Sequence, residues 1–299
     1  ANLDEIVRLF NEGKKVLVIM NTVLRAQRIF NAIRNMLPKN NDQILLSHSR
    51  FTFKDRRVHE DRIDKWEDED GPKILVSTQV VEVSLDIDYN VLFTEACYLD
   101  SLVQRAGRIN RRGNLGNNGA GLVKIFLPEG WSPKAKKKAS LPYDADLLDG
   151  SLTILDEEIR NITSEWDYVR LTNLFYDTYW QPNRAAEERF EEIWNELNFV
   201  YRANMSEERI RGLLQTRAGI ITITAYARSH WNNILKPKVQ QIETTTVVDE
   251  KSELLRQIRM YQINVPITSG MQFTQEQVGD YTYMVVEAYY NQVLGLIKN

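Results

Sequence analysis

Five short apolar runs in the first 128 residues constrain this chain more than anything else in it. They are VLVIM (16–20), ILLS (44–47), ILVS (74–77), VLFT (91–94) and VKIFL (123–127). Runs this short and this evenly apolar read as strands buried on both faces. Amphipathic stretches at 22–37, 54–68 and 99–108 lie between them and read as helices. Alternation of this kind builds a parallel sheet covered by helices on both sides. An α/β fold is therefore expected for residues 1–128. Ligands of such sheets gather at the carboxyl ends of the strands. Asn21-Thr22, Ser47 to Arg50 and Ser77 to Gln79 all stand at those ends.

The texture changes afterwards. Gly113, Gly116, Gly119 and Gly121 mark a flexible segment before the fifth run. Residues 128–150 carry Pro128, Pro133 and Pro142 with a basic run, Lys134, Lys136, Lys137 and Lys138. This reads as a solvated tether, with a patch for a phosphate backbone as the rival. Stretches 155–162, 166–179 and 185–197 read as aromatic-rich helices whose rings serve a core rather than a stacking platform. After Met205, a β-like run at 219–225 mixes with helical stretches at 250–261 and 283–297. The expected division is a lobe at 1–128, a mostly helical linker region at 129–205 and a small α+β domain at 206–299.

Bulk composition excludes several classes. A net charge of −3 gives no global nucleic-acid footprint, so any such binding must use local basic patches. The longest apolar runs are too short to span a bilayer. Residues 1–10 lack a signal-peptide core. The single cysteine, Cys97, excludes an internal disulfide and fits a reducing cytoplasm. His48, His59 and His230 are scattered, and no metal-ligand spacing is found.

The chemistry concentrates in residues 76–113. Gln104, Arg108 and Arg111 fall at spacings of four and three, which on a helix share one face. The small pair Ala106-Gly107 beside them lets another surface come close. A row of always-charged forks next to such a gap suits a polyphosphate. Phosphoryl transfer is catalysed largely by positioning and charge stabilisation, and an arginine finger supplies about 10³–10⁵ in rate. Arg108 and Arg111 are the finger candidates, and Gln104 is placed to orient them or the attacking water. No acidic residue adjoins them in sequence. Upstream, Thr78 closes a buried strand where its hydroxyl can hold a nucleic-acid phosphate. Asp86 is an acceptor for a ribose hydroxyl or a lock for a finger. Asp88 reads as a turn residue. Thr22 reads as a helix cap, a position that also suits phosphate. Arg50 reads as a backbone contact, and His48 equally as a structural histidine.

A GxxxxGK[ST] loop is needed to cradle a nucleotide and its magnesium, and none is present. Gly13-Lys14 is the only Gly-Lys pair, with Arg8 where the first glycine belongs. LTILDEE (152–158) imitates a strand ending in a metal-binding Asp-Glu, but it fits the acidic first turn of a helix better. The residues thus read as half of a nucleic-acid-dependent ATPase site, the half that completes it.

The runs TEACYLDSL (94–102) and QRAGRINR (104–111), with Asn21-Thr22-Val23, HSRF (48–51), STQVVE (77–82) and SLDID (84–88), resemble the CRISPR-associated helicase–nuclease of type I interference systems. The resemblance covers roughly residues 14–127. It implies a RecA-like second lobe, then a linker and a C-terminal domain over a single-strand channel. It implies ATP and magnesium as cofactors, held mainly by a first lobe, and 3′ to 5′ movement on single-stranded DNA. It implies an RNA-guided surveillance complex as recruiting partner. The family's first lobe and histidine–aspartate nuclease are not in this sequence, which favours a fragment beginning near the start of the second lobe. The chain alone is expected to be inactive. Two rival readings stand beside this one: the second lobe of a DEAH-type RNA helicase, and a non-catalytic docking module.

Overall fold

The computed structural model describes residues 2–38, 42–113, 121–132, 134–158, 164–179, 222–266, 269–279 and 281–298. A first helix, α1 (Leu3–Asn11), is capped by Asn2, whose side chain accepts the Glu5 amide. Then follow β1 (Lys15–Ile19), α2 (Val23–Met36), β2 (Ile44–Ser47), α3 (Phe53–Asp68), β3 (Lys73–Ser77), α4 (Val81–Ser84), β4 (Val91–Glu95), α5 (Leu99–Ala106) and β5 (Leu122–Phe126). The five strands form one sheet in the order β2-β3-β1-β4-β5, every neighbouring pair parallel.

The runs of β1, β3 and β4 are buried on both faces because successive side chains point to opposite sides, whereas the edge strand β5 is only half-buried. Val16, Val18, Ile74, Val76 and Phe93 pack against Ile6, Phe10, Phe30 and Ile33 of α1 and α2. Leu17, Ile19, Leu75 and Leu92 pack on the other face against Ile63 and Trp66 of α3 and against Ile109. Burial of each such side chain contributes roughly 1.5–3 kcal/mol. A charge at Val18 or Leu75, both wholly buried, would open the sheet.

The stretch after β5 departs from the expected tether. It folds into α6 (Lys136–Ala139), α7 (Ala145–Glu158) and α8 (Glu165–Tyr179). Ile154, Leu155, Leu171 and Phe175 pack on Cys97, Leu99 and Leu102, so α7 and α8 are anchored to α5. The basic run is split: Lys136 pairs with Asp146 at 2.9 Å and Asp149 at 2.6 Å. LTILDEE is helical, as expected, but it lies in the last turns of α7 rather than a first turn. The helix expected at 155–162 is the end of α7 up to Glu158. The helix expected at 185–197 and most of the glycine segment lie outside the described residues.

The C-terminal part opens with β6 (Thr222–Ala227), a helical turn at Arg228–His230 and a π-helical turn at Trp231–Leu235. It continues through α9 (Lys236–Thr244), α10 (Val248–Arg259), β7 (Ile263–Pro266), β8 (Phe273–Val278), β9 (Tyr281–Val286), β10 (Tyr289–Asn291) and β11 (Gly295–Ile297). β7-β6-β9-β8 make a four-stranded sheet, and β10-β11 an antiparallel pair. The helix expected over 283–297 is therefore strand. Tyrosines and valines there prefer a pleated surface, and Gly295 takes a left-handed φ of +69°. No helix among the described residues is long and apolar enough to cross a membrane.

Candidate nucleotide and nucleic-acid site

Thr22, Arg50 and Thr78 follow β1, β2 and β3, and those strands are neighbours in the order β2, β3, β1. The fold thus brings the three onto one rim. Backbone bonds lace that rim together: Met20 N–H donates to Ser77 O at 2.9 Å, and Thr78 N–H to Ser47 O at 3.3 Å. The Thr22 hydroxyl caps α2 by accepting the Arg25 amide at 3.4 Å. Thr78 is only 4% exposed. Arg50 is half-buried, and its Nε is buried without a partner. Burial pulls its guanidinium pKa below the ordinary arginine range. Among the described residues it makes no ion pair. His48 is wholly buried, and its imidazole pKa is driven down to about 3 by that burial, so it is a neutral structural group. Beside Thr22 a groove of about 490 Å³ is lined by Arg25, Arg28 and Lys138.

The hub of the rim is a residue whose spacing in the sequence pointed to no role. Arg105 is wholly buried. It donates to Glu82 Oε1 at 2.8 Å, Asn21 Oδ1 at 3.2 Å, Thr94 Oγ1 at 2.8 Å, Glu95 O at 3.2 Å and the Tyr143 hydroxyl at 2.9 Å. One cation so ties the ends of β1 and β4 and helix α4 to the segment before α7. A signal was present in the sequence. Leu99 and Leu102 face the core, and Arg105 continues the same stripe, so its charge needed partners from elsewhere in the chain.

Gln104, Arg108 and Arg111 do not share a helical face. α5 ends at Ala106 with Gly107 as its cap. The chain then turns into a parallel bridge between Tyr89 and Ile109. Tyr89 N–H donates to Arg108 O at 3.0 Å, and Asn110 N–H to Tyr89 O at 2.9 Å. Asn110 adopts a φ of +50°, a left-handed turn that asparagine tolerates. The next two amides close on one carboxylate: Arg111 N–H donates to Asp88 Oδ1 at 2.8 Å and Arg112 N–H to Asp88 Oδ2 at 3.1 Å. Asp88 is a turn residue, as expected, but the turn it holds is the arginine-bearing one.

The lack of acidic neighbours in sequence is made good in space. Arg111 pairs with Asp86 at 3.0 Å, and Arg112 with Glu67 at 3.6 Å. Arg108 donates to the Glu82 carbonyl at 2.5 Å, while its Nε is buried without a partner. Burial, and then the neighbouring Arg111 charge, pull the Arg108 pKa down. Gln104 is exposed on α5. Ala106 and Gly107 do open a gap: with Val103, Ile109, Asn110 and Arg111 they line a cleft of about 510 Å³. This turn lies beside the amino end of β4, away from the strand carboxyl ends that carry Thr22, Arg50 and Thr78. Among the described residues no three His, Cys, Asp or Glu side chains gather to hold a metal ion.

Residues 12–114 match the family model described as CRISPR-associated nuclease/helicase Cas3, C-terminal. That stretch, about a third of the chain, is similar to the C-terminal part of Cas3. The chain is 37% identical over 156 residues to the putative CRISPR-associated nuclease/helicase Cas3 of Methanocaldococcus jannaschii, a match covering 50% of this chain and 20% of that protein. The chain thus spans about a fifth of that relative's length. The crystal structure of T. fusca Cas3 with AMPPNP superposes with a TM-score of 0.69 at 20% identity, covering 98% of this chain and 40% of that one. A CRISPR RNA-guided surveillance complex in a pre-nicking state holds a chain that superposes with a TM-score of 0.60 at 21% identity, covering 98% of this chain and 41% of its own. The Cas3 fold accordingly extends through the C-terminal sheet as well as the lobe.

Proposed function

We propose that this chain is a Cas3-family protein, the second motor half of an ATP-dependent helicase that moves 3′ to 5′ along single-stranded DNA in CRISPR interference. The arginine turn carries the proposal. Arg108, its pKa lowered first by burial and then by the nearby Arg111 charge, keeps a buried, unpartnered Nε, and Arg111 is held by an exposed pair with Asp86 at 3.0 Å. Neighbouring cations, one of them held only by a weak exposed ion pair, suit an exchangeable anionic ligand. ATP with magnesium is that ligand, held mainly by a first lobe. Arg108 and Arg111 stabilise the charge that builds on the transferring phosphoryl group, with Gln104 beside them. Asp86 holds Arg111 when the cleft is open. Thr22, Arg50 and Thr78 grip backbone phosphates without reading bases. The first lobe, a histidine–aspartate nuclease and the RNA-guided surveillance complex are the partners, and the division at residues 128 and 205 belongs to the same proposal.

The test uses the complete helicase. Arg108→Ala and Arg111→Ala each lower ATP turnover by about 10³-fold or more, on the scale of finger contributions, while single-strand affinity is kept. Less than a tenfold fall in both variants defeats the assignment. The chain by itself hydrolyses ATP no faster than buffer, and robust DNA-stimulated turnover by it would equally defeat the half-site reading.

A further inference from the structure

The C-terminal hairpin is bonded to the loop that carries Arg50, and the bonds bracket that residue. Leu296 N–H donates to the Arg50 carbonyl at 2.9 Å. Arg50 N–H donates to His48 Nδ1 at 3.2 Å, which makes Nδ1 an acceptor and leaves the ring proton on Nε2. Nε2 then donates to Leu294 O at 3.0 Å. Gln27 on α2 donates to the carbonyls of Leu294 at 2.7 Å and Leu296 at 3.0 Å, fixing the hairpin from the other side. Beyond Arg50, the Tyr290 hydroxyl accepts the Thr52 amide at 3.1 Å and bonds Asp55, and both of its partners are buried. Gly295 lies at the centre. Its φ of +69° suits glycine, and a Cβ there would stand 2.7 Å from Arg50 O and 2.7 Å from His48 Cε1.

From these contacts we infer that hairpin β10-β11 is a positioning element of the nucleic-acid grip. It holds residues 48–52 in the one conformation that lifts the Arg50 guanidinium to the rim with its Nε unspent. The hairpin touches no phosphate itself and acts through Arg50. It reaches that loop from 246 residues away in sequence. Residues at the far end of the chain therefore set the strength of a contact made by the lobe. The inference rests on the proposed role of Arg50 as a phosphate contact.

The experiment is a salt titration of binding between this chain and a fluorescent oligothymidylate, with thermal unfolding recorded for every variant. Arg50→Ala loses about one counterion from the slope of log K against log salt. Gly295→Ala and Tyr290→Phe lose slope in the same way with Arg50 still present. The double variant Arg50→Ala/Gly295→Ala loses no more slope than Arg50→Ala alone. A purely structural hairpin would lower the melting temperature and leave the slope of the folded fraction unchanged. If Gly295→Ala does not fold, Tyr290→Phe carries the same comparison. Loss on Arg50→Ala with wild-type slopes in the folded hairpin variants overturns the inference and spares the Arg50 reading. No change on Arg50→Ala removes Arg50 from the grip, and the inference with it.

Discussion

The rim at the strand carboxyl ends and the arginine turn at the amino end of β4 carry similar charges and are held in opposite ways. The rim is buried and braced. Arg105 and Glu95 are 0% and 1% exposed, and each spans more than one strand end. The turn is braced by backbone bonds and one carboxylate, while Arg111 and Arg112 pair with carboxylates from positions about half exposed. Arg111 and Asp86 leave 44% and 73% of their side chains in solvent. An exposed pair of that kind is worth about 0–1 kcal/mol, whereas breaking a buried one costs about 3–5 kcal/mol. The rim is therefore a fixed fixture. The turn has a fixed backbone with side chains that are cheap to redirect. The proposed roles, DNA held at the rim and a nucleotide met at the turn, suit that division.

The largest effect that could break this contrast is at Arg105. Arg105→Ala leaves Glu82, Asn21, Thr94 and the Glu95 carbonyl without their shared donor. Stability in a urea titration falls by about 3–5 kcal/mol. By contrast, Asp86→Ala changes it by no more than about 1 kcal/mol. Equal losses at the two sites would erase the distinction between a braced rim and a loosely paired turn.

A smaller effect sharpens the contrast from the side of the turn. Asp88→Ala removes the acceptor for the amides of Arg111 and Arg112. Each such charge-assisted bond is worth about 1.5–3 kcal/mol where it is well shielded, and less here because the site is partly exposed. If the proposed fingers are misplaced rather than lost, kcat for ATP in the complete helicase falls about tenfold with KM little changed. A combined Asp88→Ala/Arg111→Ala variant is then no slower than Arg111→Ala alone. Additive losses would show that Asp88 acts elsewhere.

The parallel lobe was legible in the sequence because its strands are short apolar runs that only a doubly covered sheet can bury. The three rim residues were legible for the same reason, since a strand end fixes where its loop stands. The arginine turn was legible in composition and misread in geometry. Spacing of four and three is a helical signature only while the helix lasts, and the Tyr89–Ile109 bridge, made by residues 20 apart, ends it first. Arg105 was passed over because its five partners come from four other places in the chain. The stretch 283–297 was misread because a run such as YMVVEAYYNQVLGLI has apolar residues at both periodicities. There, Tyr290 and Leu296 are buried through contacts with residues near position 50, which local pattern does not record.

The smallest effect concerns Glu67, which stands behind the turn. Its Oε2 accepts the Asp88 amide at 3.2 Å and faces Arg112, but its Oε1 is buried without a partner. Burial raises its carboxyl pKa above the usual glutamate value, and the nearby Lys15 and Arg112 charges only partly offset that. A carboxyl whose pKa is higher folded than unfolded binds protons more tightly in the native state. Its contribution is therefore most favourable below the unfolded value and is lost as pH rises through the folded one. Glu67→Gln keeps an acceptor for Asp88 and removes the charge. It raises stability at pH 7 by about 1 kcal/mol, the scale of one unsatisfied buried group, and changes it little at pH 4. Melting curves of both proteins at the two pH values decide the matter. A loss at pH 7 that is absent at pH 4 would reverse the sign. The attraction between Glu67 and Arg112 would then outweigh the cost of burial, and the turn would be held by charge rather than by its backbone bonds.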